Sequence, residues 1–470
     1  MKFVLPLALL LSSIGLIDAF APKALSSKGS SSRLFASVDG KKGKKEKDVV
    51  IVGGGISGLS IAHYLATKSD KKIKSITLLD RTGIVPTEGN FETESASSSA
   101  AGAITQQFFG GDGAPYNPLV LEDPNDTTNN FLNGLLLSMC LESSEMYGNW
   151  TKAVEEGAKN CPFWAADKYW WEDDQSKLER WEVGYSPKMD SVFPGDPSDN
   201  FLINVGLNSK YSVPREDALK RFPLLNGRVD EWSCVEETAS VDAQRLLCSL
   251  RAACAGAGVD IRFGESADVT SLKKDDDKCI GVNLKDGSEV LGTVVVASGA
   301  VLDELMGEFG TVSVQKNEGH TLVLTTHDKS QFMSQSVFST KVGVLPKPGG
   351  RVRISDCFDY NSDKILEAAE ELVPAVSVLE AVSKIKAYRP MTLDYLPILG
   401  TTEKCDNLYV AGGFNTYGLW LAPKASQLIG DLIIRDGELK KFDEDEKKFL
   451  EGCSPDRTAE PPITIEFLCV

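Results

Sequence analysis

The chain has 470 residues, 42% of them hydrophobic and 25% charged, which is typical of a water-soluble globular protein and excludes a disordered, fibrous or multi-span membrane chain. Residues 1–47 carry nine Lys or Arg and three acidic residues, so the formal net charge of −17 divides into +6 for this segment and −23 for the remainder. Such an acidic body would repel phosphate backbones, which argues against nucleic-acid binding.

The N-terminal segment is predicted to be a targeting sequence. A basic residue and an apolar run to Ile17 precede the small residue Ala19, the order of a signal peptide, and the run is too short for a membrane anchor. Residues 20–47 are rich in Ser and Lys and poor in acids, as transit peptides are. With its Ala-Phe-Ala-Pro junction, the segment resembles the bipartite plastid presequence of algae with secondary plastids. This implies a signal peptide over 1–19, a transit peptide with a basic linker over 20–47, and a plastid location. Secretion, another endomembrane site and an unprocessed N-terminus are the alternatives.

The first folded element is predicted to be a buried parallel strand, Asp48 to Val52, because it is short, apolar and rich in Val and Ile. It runs into a Gly-Gly-Gly-Ile-Ser-Gly turn at residues 53–58 and then into a helical pattern. Gly53 permits the tight turn, Gly55 lets the backbone approach a pyrophosphate, and Gly58 lets the helix pack against the strand. The phosphates would lie at the helix N-terminus, where free N–H groups and the helix dipole favour negative charge.

A second strand begins at Ile73 and ends at Asp80, which places a carboxylate where it can bind the two hydroxyls of a ribose. Strand, glycine-rich turn, helix and acidic strand end together predict a dinucleotide site. They do not choose between FAD and NAD. Next, Glu94 to Ile104 is a run of small residues suited to a backbone lying against a cofactor, although a flexible loop has the same composition.

The middle of the chain gives weaker signals. Between residues 116 and 234 the alternation of strand and helix stops, and we expect a small sheet there. Its tryptophans either pack in the core or form the wall of an apolar pocket. They are Trp150, Trp164, Trp170, Trp171 and Trp181. Further along, the patterns predict a helix over 241–258, a strand over 259–263, a buried strand over 294–296 before Gly299, strands over 345–359 around a Pro-Gly-Gly turn, and a helical segment over 364–383 that Pro374 breaks. The charged run 443–448 is predicted to be a solvated face.

Two C-terminal segments complete the motif set. One is Arg389-Pro390-Met391-Thr392-Leu393-Asp394-Tyr395-Leu396-Pro397-Ile398-Leu399-Gly400, and the other runs from Asn407 to Gly418 before a predicted helix, Leu421 to Ile434. Together with the glycine-rich turn, the small-residue run 94–104 and the strand and small residues over 294–300, these segments resemble the flavoprotein family of D-amino acid oxidases, glycine and sarcosine oxidases and D-amino acid dehydrogenases, over residues 48–440.

The resemblance implies an α/β fold in which a Rossmann-like FAD-binding domain is interleaved with an antiparallel-sheet α+β substrate domain. The expected FAD-binding parts are 48–115, 235–300 and 385–440; the expected substrate-domain parts are 116–234 and 301–384; the tail is 441–470. FAD is expected to be non-covalent, because relatives with covalent flavin use a Cys where this chain has Met391 and Thr392.

By the same resemblance, Arg389 would bind the substrate carboxylate, since a guanidinium fork matches a carboxylate; a structural salt bridge is the alternative. Tyr388 and Tyr417 would form pocket walls or hydrogen bonds, and either could simply pack. His320 is a weaker candidate for the pocket. The residues expected to bind FAD are Gly53, Gly55, Ile56, Ser57, Gly58, Asp80, Arg81, Ser98, Ser99, Ala101, Gly102, Gly299, Gly412, Gly413, Asn415, Thr416, Tyr417, Gly418 and Leu419.

The implied reaction is oxidation of the C–N bond of a small amino acid, a D-amino acid, glycine or N-methylglycine, by hydride transfer to flavin N5. Oxygen, a quinone or a carrier protein would take the electrons. Two departures, Phe414 where relatives often have His and Tyr395 where Gly is usual, leave the substrate open. They also motivate an alternative, a non-catalytic, flavin-stabilised assembly factor. A pyridine-nucleotide disulfide oxidoreductase is disfavoured, because no CxxxxC follows the first helix and the ten cysteines show no CxxC or zinc-ligand spacing.

Overall fold

Two β-sheets, each assembled from separated stretches of the chain, form the framework of the protein. The computed structural model describes residues 46–68, 72–82, 89–104, 127–161, 178–179, 181–195, 210–339, 341–356 and 362–459. The strands are β1 Lys47–Val52, β2 Ile73–Asp80, β3 Gly89–Thr93, β4 Ala103–Ile104, β5 Ser186–Pro194, β6 Lys210–Pro214, β7 Glu231–Ser240, β8 Asp260–Phe263, β9 Val269–Asp275, β10 Lys278–Leu284, β11 Glu289–Leu291, β12 Thr293–Val296, β13 Val314–Thr325, β14 Gln335–Phe338, β15 Val342–Lys347, β16 Arg351–Asp356, β17 Glu380–Thr392, β18 Ile398–Thr402 and β19 Cys405–Gly412. The α-helices are α1 Ile56–Thr67, α2 Ala96–Ser99, α3 Thr127–Lys159, α4 Arg215–Arg221, α5 Ala243–Gly256, α6 Leu302–Met306, α7 Ser362–Glu370, α8 Gly418–Ile434 and α9 Glu444–Gly452.

The first sheet has the order β11-β10-β19-β12-β1-β2-β8, and the neighbours from β10 to β8 pair in parallel. Both faces of its central strand, β1, are buried over its last four residues, which are all Val or Ile. Val49 and Ile51 join a core that includes α1, α5 and α8, while Val50 and Val52 join a second core with β9 and β10 on the opposite face. This parallel sheet with helices against it is the Rossmann-like part of the predicted fold.

The second sheet has the order β3-β17-β13-β16-β15-β14-β5-β7-β4, with β6 beside β7. Most of its pairs are antiparallel, and β3–β17 and β5–β14 are parallel. One of its faces buries a separate apolar core together with α4 and α7. Along the chain, segments that form strands of the second sheet lie between segments that form strands of the first sheet. The fold class predicted from the sequence is confirmed, and the domain limits stay predictions.

The helical segment predicted over 364–383 is wrong in its second half. Helix α7 ends at Glu370, a single 3₁₀ turn covers Pro374–Val378, and β17 begins at Glu380. Proline has no N–H to continue a helix, and beyond it the alternating side chains of β17 pair with β13. Helix α3, 33 residues long, was not predicted and packs along α5 and α8.

Several predictions fall on residues that the structure does not describe. They include the targeting segment, the end of the strand predicted to reach residue 359, and Trp164, Trp170 and Trp171. Trp150 and Trp181 are described, and both pack against the core near α3 and α5. The eight described cysteines are all buried thiols. In the part of the chain that the structure covers, no helix has the length and apolar character to cross a bilayer.

Candidate active site

A cavity of about 390 Å³ lies where the two sheets meet. The carboxyl ends of parallel strands line one side of it, through Val52, Leu79 and Ala297. The second sheet supplies the other side, through Thr321 and Arg389 among others. Open α/β sheets bind ligands beyond the carboxyl ends of their strands, so the cavity stands where the sequence predicts a dinucleotide.

The glycine-rich turn forms one end of the cavity, and two of its positions, Gly53 and Gly58, accept only glycine. Gly53 has φ +113° and donates its N–H to Leu79 O at 2.8 Å, and a Cβ there would lie 2.3 Å from Ala297 O. A Cβ on Gly58 would lie 1.9 Å from Gly53 O, so Gly58 packs the helix on the strand and does not itself line the cavity. Helix α1 begins at the cavity. Its N-cap residue, Gly55, has no side chain to cap the helix, and the Ile56 N–H donates to Ser97 Oγ at 3.0 Å. The helix dipole at this end favours an anion.

Asp80 lies beside this turn, at the end of β2. Its carboxylate accepts hydrogen bonds from the N–H and hydroxyl of Thr82, at 2.9 and 2.8 Å, and lies 3.7 Å from Arg251 of α5. A Cβ on Gly54 would lie 2.3 Å from Asp80 Oδ2, so Gly54 makes room for the carboxylate. Arg81 also lines the cavity, where it pairs with Glu94 and with other acidic side chains. The Asp80 carboxylate thus has Arg251 as its nearest cationic neighbour among the described residues. The sequence did not predict this contact, because the two residues are 171 positions apart in the chain.

The small-residue loop, residues 97–102, is fastened to the second sheet through its carbonyl groups. Thr321 donates its hydroxyl to Ser99 O at 2.7 Å, and Arg353 donates to Ser98 O at 3.0 Å and to Ala100 O. Residues 96–99 form the short helix α2, so these bonds hold the end of that helix and the residue after it against the second sheet. Arg353 is 2% exposed, and nothing in the sequence motif indicated its role.

A buried set of charges lies behind this loop. Lys347 of β15 and Arg351 of β16 lie opposite each other in the sheet, and Asp242 and Arg353 are the other two members of the set. Lys347 Nζ donates to Ser240 Oγ at 2.7 Å and to Val241 O at 2.9 Å. Burial lowers the pKa of Lys347 to about 7, and Arg353 acts in the same direction. Burial also opposes ionisation of Asp242, but the surrounding cations outweigh it and lower the pKa of its carboxyl.

The C-terminal motif forms the opposite end of the cavity, and Asn415 organises it. Asn415 has φ +50° and joins the end of β17 to the next turn: its Oδ1 accepts from Thr392 N at 2.8 Å and its Nδ2 donates to Tyr395 O at 2.7 Å. Tyr395 has φ +58°, a conformation that favours glycine and explains why relatives have Gly there. Asp394, in the same turn, is held by Arg457 through two bonds of 2.7 and 2.9 Å.

Helix α8 begins at the cavity, and α3 holds its first turns in place. Pro423 cannot donate the N–H that would bond to Leu419 O, and the hydroxyl of Tyr147 donates to that carbonyl instead, at 2.8 Å. Ser143 of α3 likewise donates to Trp420 O at 2.7 Å. The N-cap residue of α8, Tyr417, makes no side-chain cap, and the helix dipole at this end favours an electron-rich ligand.

Arg389 lies in the cavity wall with its guanidinium held by protein groups. Its Nη1 donates to Asn317 Oδ1 at 3.1 Å and to Glu318 O at 3.2 Å, and its Nη2 donates to Asp356 O at 2.9 Å and to the Asp356 carboxylate. A Cβ on Gly319 would lie 2.8 Å from Arg389 Cζ, so the guanidinium rests on a glycine. Both terminal nitrogens of the guanidinium, which were expected to bind the substrate carboxylate, therefore already donate to protein acceptors. Among the described contacts, only the Nε–H of Arg389 has no acceptor.

The structure brings most of the predicted residues to one cavity. Those that line it are Gly53, Gly55, Ile56, Ser57, Asp80, Arg81, Ser99, Ala101, Gly102, Gly299, Arg389, Asn415, Thr416, Tyr417, Gly418 and Leu419. Five do not line it: Gly58, Ser98, Gly412, Gly413 and Tyr388. Gly412 and Gly413 instead make room for Leu302 and Thr392, and the Tyr388 hydroxyl donates to Glu92 on the outside of the sheet. His320 does not line the cavity either, but it contacts Asp356, which does.

The residues present fit FAD. The glycine turn and the start of α1 suit a pyrophosphate, the Asp80 carboxylate suits the adenosine ribose, and the start of α8 suits the pyrimidine edge of a reduced flavin. In addition, Ser298 lines the cavity and its buried hydroxyl has no hydrogen-bond partner within the described part of the chain. Buried hydroxyls are normally paired, so this one is suited to a ligand.

Comparison with known proteins gives consistent results. A family model described as FAD dependent oxidoreductase matches residues 48–432. The chain is 26% identical to the bifunctional protein ThiO/ThiG of Synechocystis sp. over 88% of its own length and 55% of that protein, so it spans about half the length of this relative. It is 25% identical to the glycine oxidase of Geobacillus kaustophilus, over 83% of this chain and 93% of that protein. The crystal structure of glycine oxidase from Bacillus cereus shares the fold, with a TM-score of 0.63 and 20% identity over 88% of this chain and 100% of that one.

Proposed function

Because this chain belongs to the family of FAD-dependent oxidoreductases, we propose that it oxidises the C–N bond of a small amino acid of the glycine, N-methylglycine or D-amino acid type. The observation that carries the proposal is Arg389, a cation in the wall of the cavity that also contains the nucleotide-binding turn. The similarity to glycine oxidases over most of the chain supports it. A cation next to a redox cofactor gives an amino acid carboxylate a fixed place from which its α-carbon can be presented.

Bound FAD supplies a two-electron acceptor, which we propose receives the α-hydrogen of the substrate as hydride at N5. The protein groups hold the partners in place. Arg389 attracts the carboxylate, Arg353 and Thr321 keep the small-residue loop against the cofactor, and the start of α8 favours negative charge on the ring. The substrate amine gives up its proton to water before the hydride leaves. The resulting imine then hydrolyses to a 2-oxo acid and ammonia, or to an aldehyde acid and an amine for an N-substituted glycine.

Anaerobic reduction of the flavin tests the proposal. The purified holoprotein is mixed with glycine, sarcosine, D-amino acids or proline in the absence of oxygen, and the visible flavin band is followed. Bleaching by one group identifies the substrate class, and the speed of recovery in air separates oxygen from a quinone or carrier protein as the acceptor. A yellow protein that none of these compounds bleaches would contradict the proposal.

The role of Arg389 is tested by a matched pair of variants. Arg389→Ala should raise KM steeply while FAD stays bound, because it removes the charge that attracts the carboxylate. Tyr388→Phe is the control, since Tyr388 is the neighbouring residue of β17 and its hydroxyl binds Glu92 away from the cavity. An unchanged KM for Arg389→Ala, or an equal rise in both variants, would refute the carboxylate role.

A non-catalytic, flavin-stabilised assembly factor is the second candidate. Two observations favour it: Phe414 is buried in the cavity wall where relatives often have His, and the guanidinium of Arg389 is already occupied by protein acceptors. Tyr395 gives it no support, because it does not line the cavity. Rapid flavin reduction by any amino acid would refute this candidate.

We also propose that residues 1–47 deliver the protein to a plastid, on the strength of the junction and composition of that segment. A fusion of these residues to a fluorescent protein, expressed in an alga with a secondary plastid, should label the plastid. Secretion of the fusion, or retention in the cytosol, would refute the proposal.

A further inference from the structure

The charge of Arg389 is compensated inside the protein. Its four terminal N–H groups go to Asn317, Glu318 and Asp356, and one of the acceptors is the carboxylate of Asp356. The Arg389 side chain is 18% exposed, whereas that of Asp356 is fully buried. Part of the Arg389 guanidinium is therefore exposed to the cavity, and the Asp356 carboxylate that balances its charge lies directly behind it.

Asp356 is held firmly in this position. It is the last residue of β16, and its Oδ2 accepts the backbone N–H of His320 at 3.0 Å while its Oδ1 accepts from Arg389. Gly319 lies under the guanidinium and lets it approach the strand closely. Because strand backbone fixes both the donor of His320 and the position of Asp356, the carboxylate cannot turn away when a substrate enters.

We infer that Asp356 is a specificity-determining residue, which makes the substrate end of the cavity select zwitterionic amino acids over simple carboxylate anions. The inference rests on the proposed function and narrows it to substrates that carry a positive nitrogen next to the carboxylate. Asp356 does not have to touch the substrate, since its charge acts through Arg389 and through the low-dielectric wall.

The reasoning is electrostatic. An uncompensated buried guanidinium would attract any carboxylate, whereas a guanidinium paired with Asp356 offers a monoanion little net attraction. A zwitterion loses less, because an uncompensated guanidinium would repel its cationic nitrogen and Asp356 removes that repulsion as well. The rest of the cavity adds no attraction for a monoanion, since its other described charged residues are Asp80, Glu94, Asp268 and Glu304 against Arg81.

Two isosteric ligands test the inference without any turnover. N,N,N-trimethylglycine and 3,3-dimethylbutanoate have the same shape and differ by one positive charge, and neither has an oxidisable N–H. Each is titrated into the holoprotein, and its Kd is read from the shift of the visible flavin band. The wild-type protein should bind the zwitterion at least about tenfold more tightly than the monoanion.

Asp356→Asn should reduce this preference by about tenfold or more, because it removes one charge near the binding place and leaves the shape almost unchanged. Asp328→Asn is the matched control: it makes the same substitution at an exposed residue whose carboxylate accepts hydrogen bonds from Ser330 and does not line the cavity. Its preference should equal that of the wild type. If Asp356→Asn does not retain FAD, Asp356→Ser takes its place, since a hydroxyl can still accept from Arg389.

A wild-type protein that binds the monoanion as tightly as the zwitterion would overturn the inference, and so would an unchanged preference in the Asp356 variant. Failure of the zwitterion to bind at all would overturn it too. Failure of the proposed function has a different signature. In that case the ligand preference is present, but no amino acid reduces the flavin.

Discussion

Replacing Lys347 by methionine should remove a pH dependence of folding stability that its buried amine creates. Lys347 is 7% exposed at the end of β15 and lies behind the loop that faces the cofactor. Burial, with the nearby charge of Arg353, lowers its pKa from 10.5 to about 7. Between these two pH values the unfolded chain holds a proton on this amine that the folded chain has lost.

The sign and size of the effect follow from proton linkage. Where the unfolded state binds more protons, the free energy of unfolding rises with pH, and one proton gives a slope of at most about 1.4 kcal/mol per pH unit. The penalty from Lys347 is thus largest at and below pH 7 and disappears as the pH approaches 10.5. From pH 7 to pH 9 the wild type should gain about 2 kcal/mol over Lys347→Met. The variant also leaves Ser240 Oγ and Val241 O without this donor, which adds an offset that does not change with pH.

Urea unfolding at pH 7, 8 and 9, at constant ionic strength and with excess FAD, measures the effect. The difference between wild type and variant is the relevant quantity, because the contributions of all other titrating groups cancel in it. Lys278→Met, at an exposed position of β10, is the control and should show no such trend. A difference between wild type and Lys347→Met that stays constant within about 0.5 kcal/mol over this range would refute the reasoning.

Three further substitutions test the supports of the cavity. Gly58→Ala should abolish FAD retention, because its Cβ would lie 1.9 Å from Gly53 O. The purified variant should lack the flavin band, whereas the control Gly134→Ala, which adds a Cβ in open space on α3, should keep it. A yellow Gly58→Ala protein would contradict this expectation. Arg353→Met removes the donors to two carbonyls of the small-residue loop and should speed FAD release on the order of tenfold, as measured by stopped-flow dilution. An unchanged rate of release would show that these two hydrogen bonds do not hold the loop against FAD. Arg457→Met leaves Asp394 without its guanidinium partner and should lower the free energy of unfolding by about 3 kcal/mol; the same urea midpoint as the wild type would show that the pair is not needed.

The elements whose signals are local were predictable from the sequence. A buried parallel strand followed by a glycine-rich turn needs only neighbouring residues to be recognised, and the structure forms both at Lys47–Val52 and residues 53–58. Asp80 at the end of β2 and the motif before α8 were predictable for the same reason. The error over 364–383 has the opposite cause. There the residues after Pro374 satisfy a helical period, but pairing with β13 decides that they form a strand.

The supports of the cavity were not predictable, because they join residues that are far apart in the chain. Arg353 binds a loop about 250 residues before it, and Tyr147 replaces a hydrogen bond that Pro423 cannot make in a helix 272 residues later. Single buried Arg, Lys or Tyr residues have no spacing that marks them. Only their final contacts show what they do.

The sequence by itself determined the parallel strand, the glycine-rich turn and the approximate place of the dinucleotide site, because backbone conformation at glycine turns and the period of apolar residues depend on near neighbours. The choice of FAD came from the resemblance to a flavoprotein family. Tertiary structure alone decided which charged groups surround Arg389. Arg389 reads in the sequence as an open clamp, but β-sheet register places Asp356 and Gly319 against it. The free energy of a buried charge depends on what surrounds it in space, and that is a property of the fold as a whole.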